Sequence, residues 1–85
     1  MTEAELKLTL LLYNILSKER ADAAYMWRVA GENVYYERKW SKYADEMSKI
    51  KADLRERGYE LASIGYKVVD RVQHEEYKIV PISNC

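Results

Sequence analysis

The sequence predicts an α+β domain, with two or three N-terminal helices, one of them long, followed by a C-terminal antiparallel β-hairpin. Two observations support this prediction. Apolar residues recur at helical spacing over the first two thirds of the chain, whereas β-branched residues concentrate in the last third. The 85 residues are expected to form a single domain, 1–85, whose core is thin because a chain of this size buries only about 60–65% of its unfolded surface. Oligomerisation is a common remedy for a thin core, so we expect a homodimer.

The first helix is predicted over residues 3–17 and begins at a capping box of the form Thr-x-x-Glu. In this motif Thr2 and Glu5 each accept a hydrogen bond from the other's backbone N–H. The apolar residues that follow cover well over half of the helix circumference: Leu6, Leu8, Leu10, Leu11, Leu12, Tyr13, Ile15 and Leu16. A helix that is apolar on so many sides needs several neighbours, so we expect it to lie centrally in the core.

The polar residues 17–22 indicate a turn, although one continuous helix also fits the pattern. A second helix is predicted over 21–30. Gly31 then marks a kink or a break, because glycine destabilises a helix interior by about 1 kcal/mol. Beyond it, residues 32–57 are predicted to form one long helix, and Gly58 is a suitable residue to end it.

A stripe of large apolar residues, which we call the aromatic seam, runs along the long helix: Tyr36, Trp40, Tyr43, Met47, Ile50 and Leu54. Their spacing keeps one side of the helix directed at a neighbour for about five turns. Trp and Tyr suit packing against a sheet or a leucine-rich helix better than a two-stranded coiled coil, which favours Ile, Val and Leu. We therefore expect the seam to pack within the fold. A partner-binding or dimer surface formed by Tyr36, Trp40, Tyr43 and Met47 is the alternative.

The last third of the chain is predicted to form a β-hairpin over about 66–82, because it is rich in β-branched residues: Val68, Val69, Val72, Ile79 and Val80. The polar residues 73–76 are expected at its tip. A short strand at 59–62 is a possible third member of the sheet. The main rival is a helix over 59–73, which Gly65 and the adjacent valines disfavour.

The charges of the chain cancel, with 14 basic and 14 acidic residues. Binding dominated by nucleic-acid phosphates normally requires a basic excess, so this balance disfavours it. The residues that would contact phosphates are basic side chains interleaved with aromatic ones on the long helix: Arg38, Lys39, Lys42, Lys49 and Lys51. Glu37, Asp45 and Glu46 dilute their charge, so a solvated helix face is the simpler interpretation.

The segment Asp53-Leu-Arg-Glu-Arg-Gly-Tyr-Glu-Leu-Ala-Ser, with Tyr77-Lys-Ile-Val after it, resembles the recognition helix end and the wing of winged-helix regulators. The resemblance covers about a third of the chain. It implies a DNA-binding transcriptional regulator whose hairpin lies beside the duplex. The chain departs from that pattern at residues 40–43, where Trp-Ser-Lys-Tyr occurs in place of a Gly-containing turn.

The sequence assigns no catalytic residue and no cofactor. His74 lies beside Glu75 and Glu76 at the predicted hairpin tip, and adjacent residues rarely converge on one metal ion, so no metal site is expected. A nucleophile–base pair, a Gly-rich phosphate loop and a dinucleotide fingerprint are all missing, so the protein is expected not to be an enzyme. The one cysteine, Cys85, is expected either to have no role or to form an intermolecular disulfide.

The missing signal peptide and membrane-spanning stretch predict a cytoplasmic protein. The leading hypothesis for its function is a small non-enzymatic protein-binding module, an adaptor or inhibitor of a larger partner. Small accessory proteins of viruses or mobile elements often fit this description. The alternative is the winged-helix-like DNA-binding regulator.

Overall fold

In a computed structural model, which describes residues 1–82, the chain forms two helices followed by a two-stranded antiparallel sheet. The elements are α1 (Glu3–Val29), α2 (Val34–Glu56), β1 (Tyr59–Val69) and β2 (Val72–Pro81). The predicted α+β class with a C-terminal hairpin is therefore confirmed. Cys85, and with it the expectation of an idle thiol or an intermolecular disulfide, lies outside the described residues.

α1 begins at the predicted capping box, whose two reciprocal hydrogen bonds are both 3.2 Å long. The turn predicted at 17–22 is wrong, because the helix continues through these residues and joins the predicted segments 3–17 and 21–30 into one element. The physical reason is that Ser17 does not cap a helix. It is buried, and its hydroxyl donates a hydrogen bond to the Glu75 carbonyl of β2 at 2.8 Å.

Two glycines end the helices in the way their positions predict. Gly31 has φ +74°, and after it the N–H of Glu32 donates to the Trp27 carbonyl at 2.8 Å, which closes a Schellman motif. The short loop that follows turns the chain back, so α2 packs along α1. α2 agrees with the predicted range 32–57 to within two residues at each end, and Gly58 follows it with φ +89°.

The hairpin is longer than the predicted range 66–82. β1 begins at Tyr59, so the possible third strand at 59–62 is the start of β1, and the rival helix over 59–73 is wrong. The two strands pair along their whole length, and a bulge at Ile64 shifts the register by one residue.

The tip of the hairpin lies at Asp70 and Arg71, not at the predicted 73–76, which belong to β2. Asp70 and Arg71 have φ values of 52° and 69°. Positive φ at both central residues is the signature of a two-residue type I′ turn. Polarity alone misplaced the tip, because the polar residues 73–76 are strand residues that alternate between the two faces of the hairpin.

The core lies between the two helices and the half of the hairpin that carries Leu61 and Tyr77. Tyr13, Leu16 and Met47 form its centre, and four half-buried side chains pack against them: Tyr43, Ile50, Leu61 and Tyr77. The rings of Tyr13 and Tyr77 meet edge to face, with their centroids 4.9 Å apart. Met47 and Leu54 of the aromatic seam are buried and Tyr36, Tyr43 and Ile50 are half-buried, so most of the seam packs within the fold.

Candidate protein-binding surfaces

Four aliphatic side chains on one side of α1 are exposed, by 68, 58, 50 and 47% respectively: Leu8, Leu11, Leu12 and Ile15. We call this group the leucine face. Their spacing of three, one and three residues places them together, away from the buried side of the helix, which carries Tyr13, Leu16, Ser17 and Ala23. α1 packs against α2 and β2, as its many leucines predict, but no other described element covers the leucine face.

Asn14 and Ser17 fix how α1 lies on the hairpin. The Tyr77 N–H donates to Asn14 Oδ1 at 2.9 Å, and Asn14 Nδ2 donates to the Tyr77 carbonyl at 3.2 Å. Together with the bond from Ser17 to the Glu75 carbonyl, these contacts satisfy backbone groups of β2 that face away from β1. α1 therefore closes the outer edge of β2, which is otherwise a site for unwanted strand pairing.

A groove of about 320 Å³ separates the leucine face from the hairpin, and it is lined by Leu11, Asn14, Ile15, Lys18, Lys67, Val69, His74 and Glu76. Its apolar part is continuous with the leucine face through Leu11 and Ile15. The carboxylate of Glu76 already faces His74, with 3.7 Å between Oε1 and Nε2. Lys18 and Lys67 have no such partner among the described residues, so the rim of the groove is basic.

His74 does not lie on a flexible tip. It is only 6% exposed, in β2 between α1 and the hairpin, and its Nδ1 has no hydrogen-bond partner within residues 1–82. In the same part of the chain, no three His, Cys, Asp or Glu side chains are grouped closely enough to hold a metal ion.

Glu75 and Tyr77 form a second polar contact beside the core, in which the Tyr77 hydroxyl donates to the Glu75 carboxylate. This bond, with a smaller contribution from Ser63, holds the pKa of Glu75 below its ordinary value. Burial, reinforced by the same bond to Glu75, raises the pKa of Tyr77. Burial also raises the pKa of Tyr13, whose ring packs against that of Tyr77.

The predicted partner-binding residues of the aromatic seam occupy different environments. Met47 is only 3% exposed, and Tyr36 and Tyr43 are half-buried. Trp40 is 42% exposed, and the guanidinium of Arg20 lies 5.9 Å from its ring centroid. Of these four seam residues, only Trp40 offers a large surface to a partner.

The basic residues of α2 do not form a positive patch. Arg38, Lys42 and Lys49 line one side of α2, but three carboxylates lie on the same side, those of Glu37, Asp45 and Glu46. Lys39 lies elsewhere, over the ring of Tyr35 at 5.0 Å, and a hydrogen bond to Tyr35 raises its pKa. Lys51 does not line the surface shared by the first three. α2 also runs unbroken through residues 40–43, where the winged-helix pattern requires a turn.

Comparison with known proteins gives no further guide, because no family model, no curated protein and no solved structure matches this chain. Neither helix within residues 1–82 has a stretch long and apolar enough to cross a membrane. We therefore infer function from the exposed surfaces of the chain itself. Sequence periodicity detected the leucines of α1 but assigned them all to the core, and no signal in the sequence marks which of them stay exposed.

Proposed function

We propose that this chain is a non-enzymatic protein-binding module that holds an amphipathic helix of a larger protein on its leucine face. The observation that carries the proposal is the exposure of four adjacent aliphatic side chains on one side of α1. Single exposed apolar residues are ordinary, but a contiguous apolar group with a polar border is typical of a protein–protein contact. An adaptor or an inhibitor of a larger protein would use such a surface.

The total surface area supports the presence of a partner. The chain exposes 6234 Å². A compact monomer of 10.1 kDa is expected to expose about 5,300 Å², so the excess is about 900 Å². This excess is close to the ~800 Å² that each protein contributes to an interface of standard size. The radius of gyration, 14.3 Å, likewise exceeds the ~12 Å expected for a compact domain of this length.

The chemistry of the surface indicates what kind of partner fits. The leucine face presents side chains at i, i+3, i+4 and i+7, the pattern by which two helices pack side by side. Lys18 and Lys67 border its continuation into the groove and favour acidic residues on the partner. We therefore expect the partner segment to be a helix whose apolar side is flanked by Asp or Glu.

A synthetic peptide tests the proposal without knowledge of the natural partner. The probe is a fluorescent amphipathic helix with leucines on one side and glutamates beside them, and its control is a scrambled peptide of the same composition. We expect the amphipathic peptide alone to bind. The double variant Leu11→Ser/Ile15→Ser should weaken binding about 30-fold, because each residue loses about half of the ~1.5–3 kcal/mol of a fully buried side chain.

Val34→Ser is the matched control, because Val34 is 55% exposed on α2, away from the leucine face. It should leave binding of the peptide unchanged. Equal binding of the two peptides, or equal binding by the Leu11→Ser/Ile15→Ser variant, contradicts the proposal. The proposal is also contradicted if the Leu11→Ser/Ile15→Ser variant turns a dimer into a monomer, because the leucine face of the unmodified chain then contacts a second copy.

The DNA-binding alternative makes a different prediction. A protein held by phosphates retains duplex DNA at about 50 mM salt and releases it steeply as the salt concentration rises. Loss of retention in the variant Arg38→Gln/Lys42→Gln would favour that alternative. We expect no retention by the unmodified chain, because the carboxylates of Glu37, Asp45 and Glu46 offset the basic residues on this side of α2.

A further inference from the structure

Within residues 1–82 no strand or side chain pairs with the outer edge of β1, in contrast to the edge of β2 that α1 closes. The backbone groups of successive residues in an antiparallel strand point alternately toward and away from the partner strand. Tyr77 gives both of its backbone groups to Asn14, so its partner in the register, Ser63, also points away from the hairpin. The bond from the Ile82 N–H to the Gly58 carbonyl agrees with this alternation. Across the bulge, the outward-facing residues of β1 are Tyr59, Leu61, Ser63, Tyr66 and Val68.

The side chains along this edge do little to prevent pairing with another strand. Ile64, Tyr66 and Val68 are exposed by 61, 67 and 67%, and all three are residue types that favour strands. Edge strands that remain unpaired are usually short, covered, or rich in charges. β1 has 11 residues, and its only charged ones are Glu60 and Lys67. Such an edge is suited to receive an additional strand.

We propose that β1 pairs in antiparallel fashion with β1 of a second copy of this chain, which gives a four-stranded sheet of order β2–β1–β1–β2. The two-fold axis lies between Ser63 and Ile64. In this register Leu61 lies opposite Tyr66 of the second copy, and both residues face outward. The backbone N–H and C=O groups of Leu61 therefore form hydrogen bonds with those of Tyr66 of the second copy. Tyr59 and Val68 of the second copy meet in the same way.

The two charges of β1 select this register. It places Glu60 opposite Lys67 of the second copy, and the symmetry repeats the pair on the other side of the axis. One other register aligns two pairs of outward-facing residues from the two halves of the strand, and it places Leu61 opposite Val68. In that register Glu60 faces Val69 and both charges remain unpaired. Opposite charges directly across a strand pair are stabilising, so the first register is favoured.

This dimer is independent of the leucine face. α1 lies along β2, at the opposite edge of the hairpin from the proposed contact. Glu60 does not line the groove beside the leucine face, so Glu60→Lys should weaken the dimer and leave peptide binding unchanged. Lys67 borders that groove, so Lys67→Glu should weaken both. Leu11→Ser/Ile15→Ser should weaken peptide binding alone, and the two proposals therefore fail separately.

Charge reversal tests the register. Sedimentation equilibrium of the full chain should show a dimer. Glu60→Lys and Lys67→Glu should each weaken it about 10- to 30-fold, because each brings two like-charged pairs together. An equimolar mixture of the two variants should form a heterodimer as tight as the original dimer, because both cross-strand pairs are then of opposite charge. Lys78→Glu, a reversal on β2, is the matched control and should leave the dimer unchanged.

Amide hydrogen exchange tests the backbone contact and serves as a check on folding. In the dimer the N–H groups of Tyr66 and Val68 should be protected, and dilution should remove this protection. The N–H of Val69 faces β2 and should stay protected in every folded variant. A chain that is monomeric throughout the micromolar range overturns the proposal. So does a dimer in which Tyr66 and Val68 exchange freely, or a mixture of the two variants that does not recover the dimer.

Discussion

Replacing Asn14 with alanine should loosen α1 from the hairpin and destabilise the whole fold. The Asn14 side chain accepts from the Tyr77 N–H at 2.9 Å and donates to the Tyr77 carbonyl at 3.2 Å. Truncation leaves both backbone groups without a partner in a half-buried position. Each group costs about 1–3 kcal/mol when buried and unpaired, and partial access to water lowers that cost. We expect the free energy of unfolding to fall by about 2–4 kcal/mol, a large share of what a domain of this size has.

Urea denaturation followed by far-ultraviolet circular dichroism measures this loss. Asn33→Ala is a matched control, because Asn33 bonds the Tyr35 N–H at 2.9 Å in an exposed N-cap, and its loss should cost about 1 kcal/mol. Hydrogen exchange should show faster exchange at the Tyr77 amide in Asn14→Ala only. The reasoning is refuted if Asn14→Ala costs no more than Asn33→Ala, or if the Tyr77 amide stays equally protected.

Two further substitutions have definite expected outcomes. Because the pKa of Glu75 is lowered in the fold, its carboxylate stabilises the native state at neutral pH, and this contribution is lost as the pH falls through that pKa. Tyr77→Phe removes the largest cause of the lowered pKa, so urea midpoints measured from about pH 7 to about pH 3 should fall less steeply in the variant. Arg71→Gly should stabilise the chain by about 0.5–1 kcal/mol in thermal unfolding, because Arg71 has φ 69° and glycine tolerates positive φ. An unchanged or lower melting temperature would contradict that assignment of strain.

The features that the sequence predicted well depend on neighbouring residues. The capping box, the glycine that ends each helix and the range 32–57 all follow from interactions within a few residues of one another. The turn expected at 17–22 failed for a non-local reason. The hydroxyl of Ser17 donates a hydrogen bond to the Glu75 carbonyl of β2, which lies 58 residues further along the chain. No local sequence pattern indicates so distant a partner.

The hairpin tip was misplaced because its turn has no strong sequence signal. A type I′ turn is normally recognised by Asn-Gly or Asp-Gly, and here the second position is Arg71. The tip was predicted at the polar residues 73–76, but one of them, His74, is buried. Its burial depends on α1 lying along the edge of β2, an arrangement set by Asn14 and Ser17 and invisible to periodicity.

The candidate site illustrates the same difference between local and non-local information. Helical periodicity identifies two apolar stripes, the aromatic seam on α2 and the leucines of α1, but not which one a neighbour covers. In the structure five of the six seam residues are buried or half-buried, whereas the leucine face is exposed. The docking surface that we propose therefore lies on a different helix from the aromatic seam, which the sequence offered as an alternative binding surface. Trp40 is the part of the seam that remains accessible.

Both open surfaces have one physical cause, the small number of elements that residues 1–82 form. Two helices and one hairpin cannot cover a helix that is apolar on most sides and also close both edges of a sheet. Asn14 and Ser17 commit α1 to the edge of β2, and this placement leaves the leucine face and the edge of β1 uncovered. A larger domain would cover them with its own segments. If a second copy closes the β1 edge, the resulting dimer presents two leucine faces, and it should bind two partner helices for every two chains.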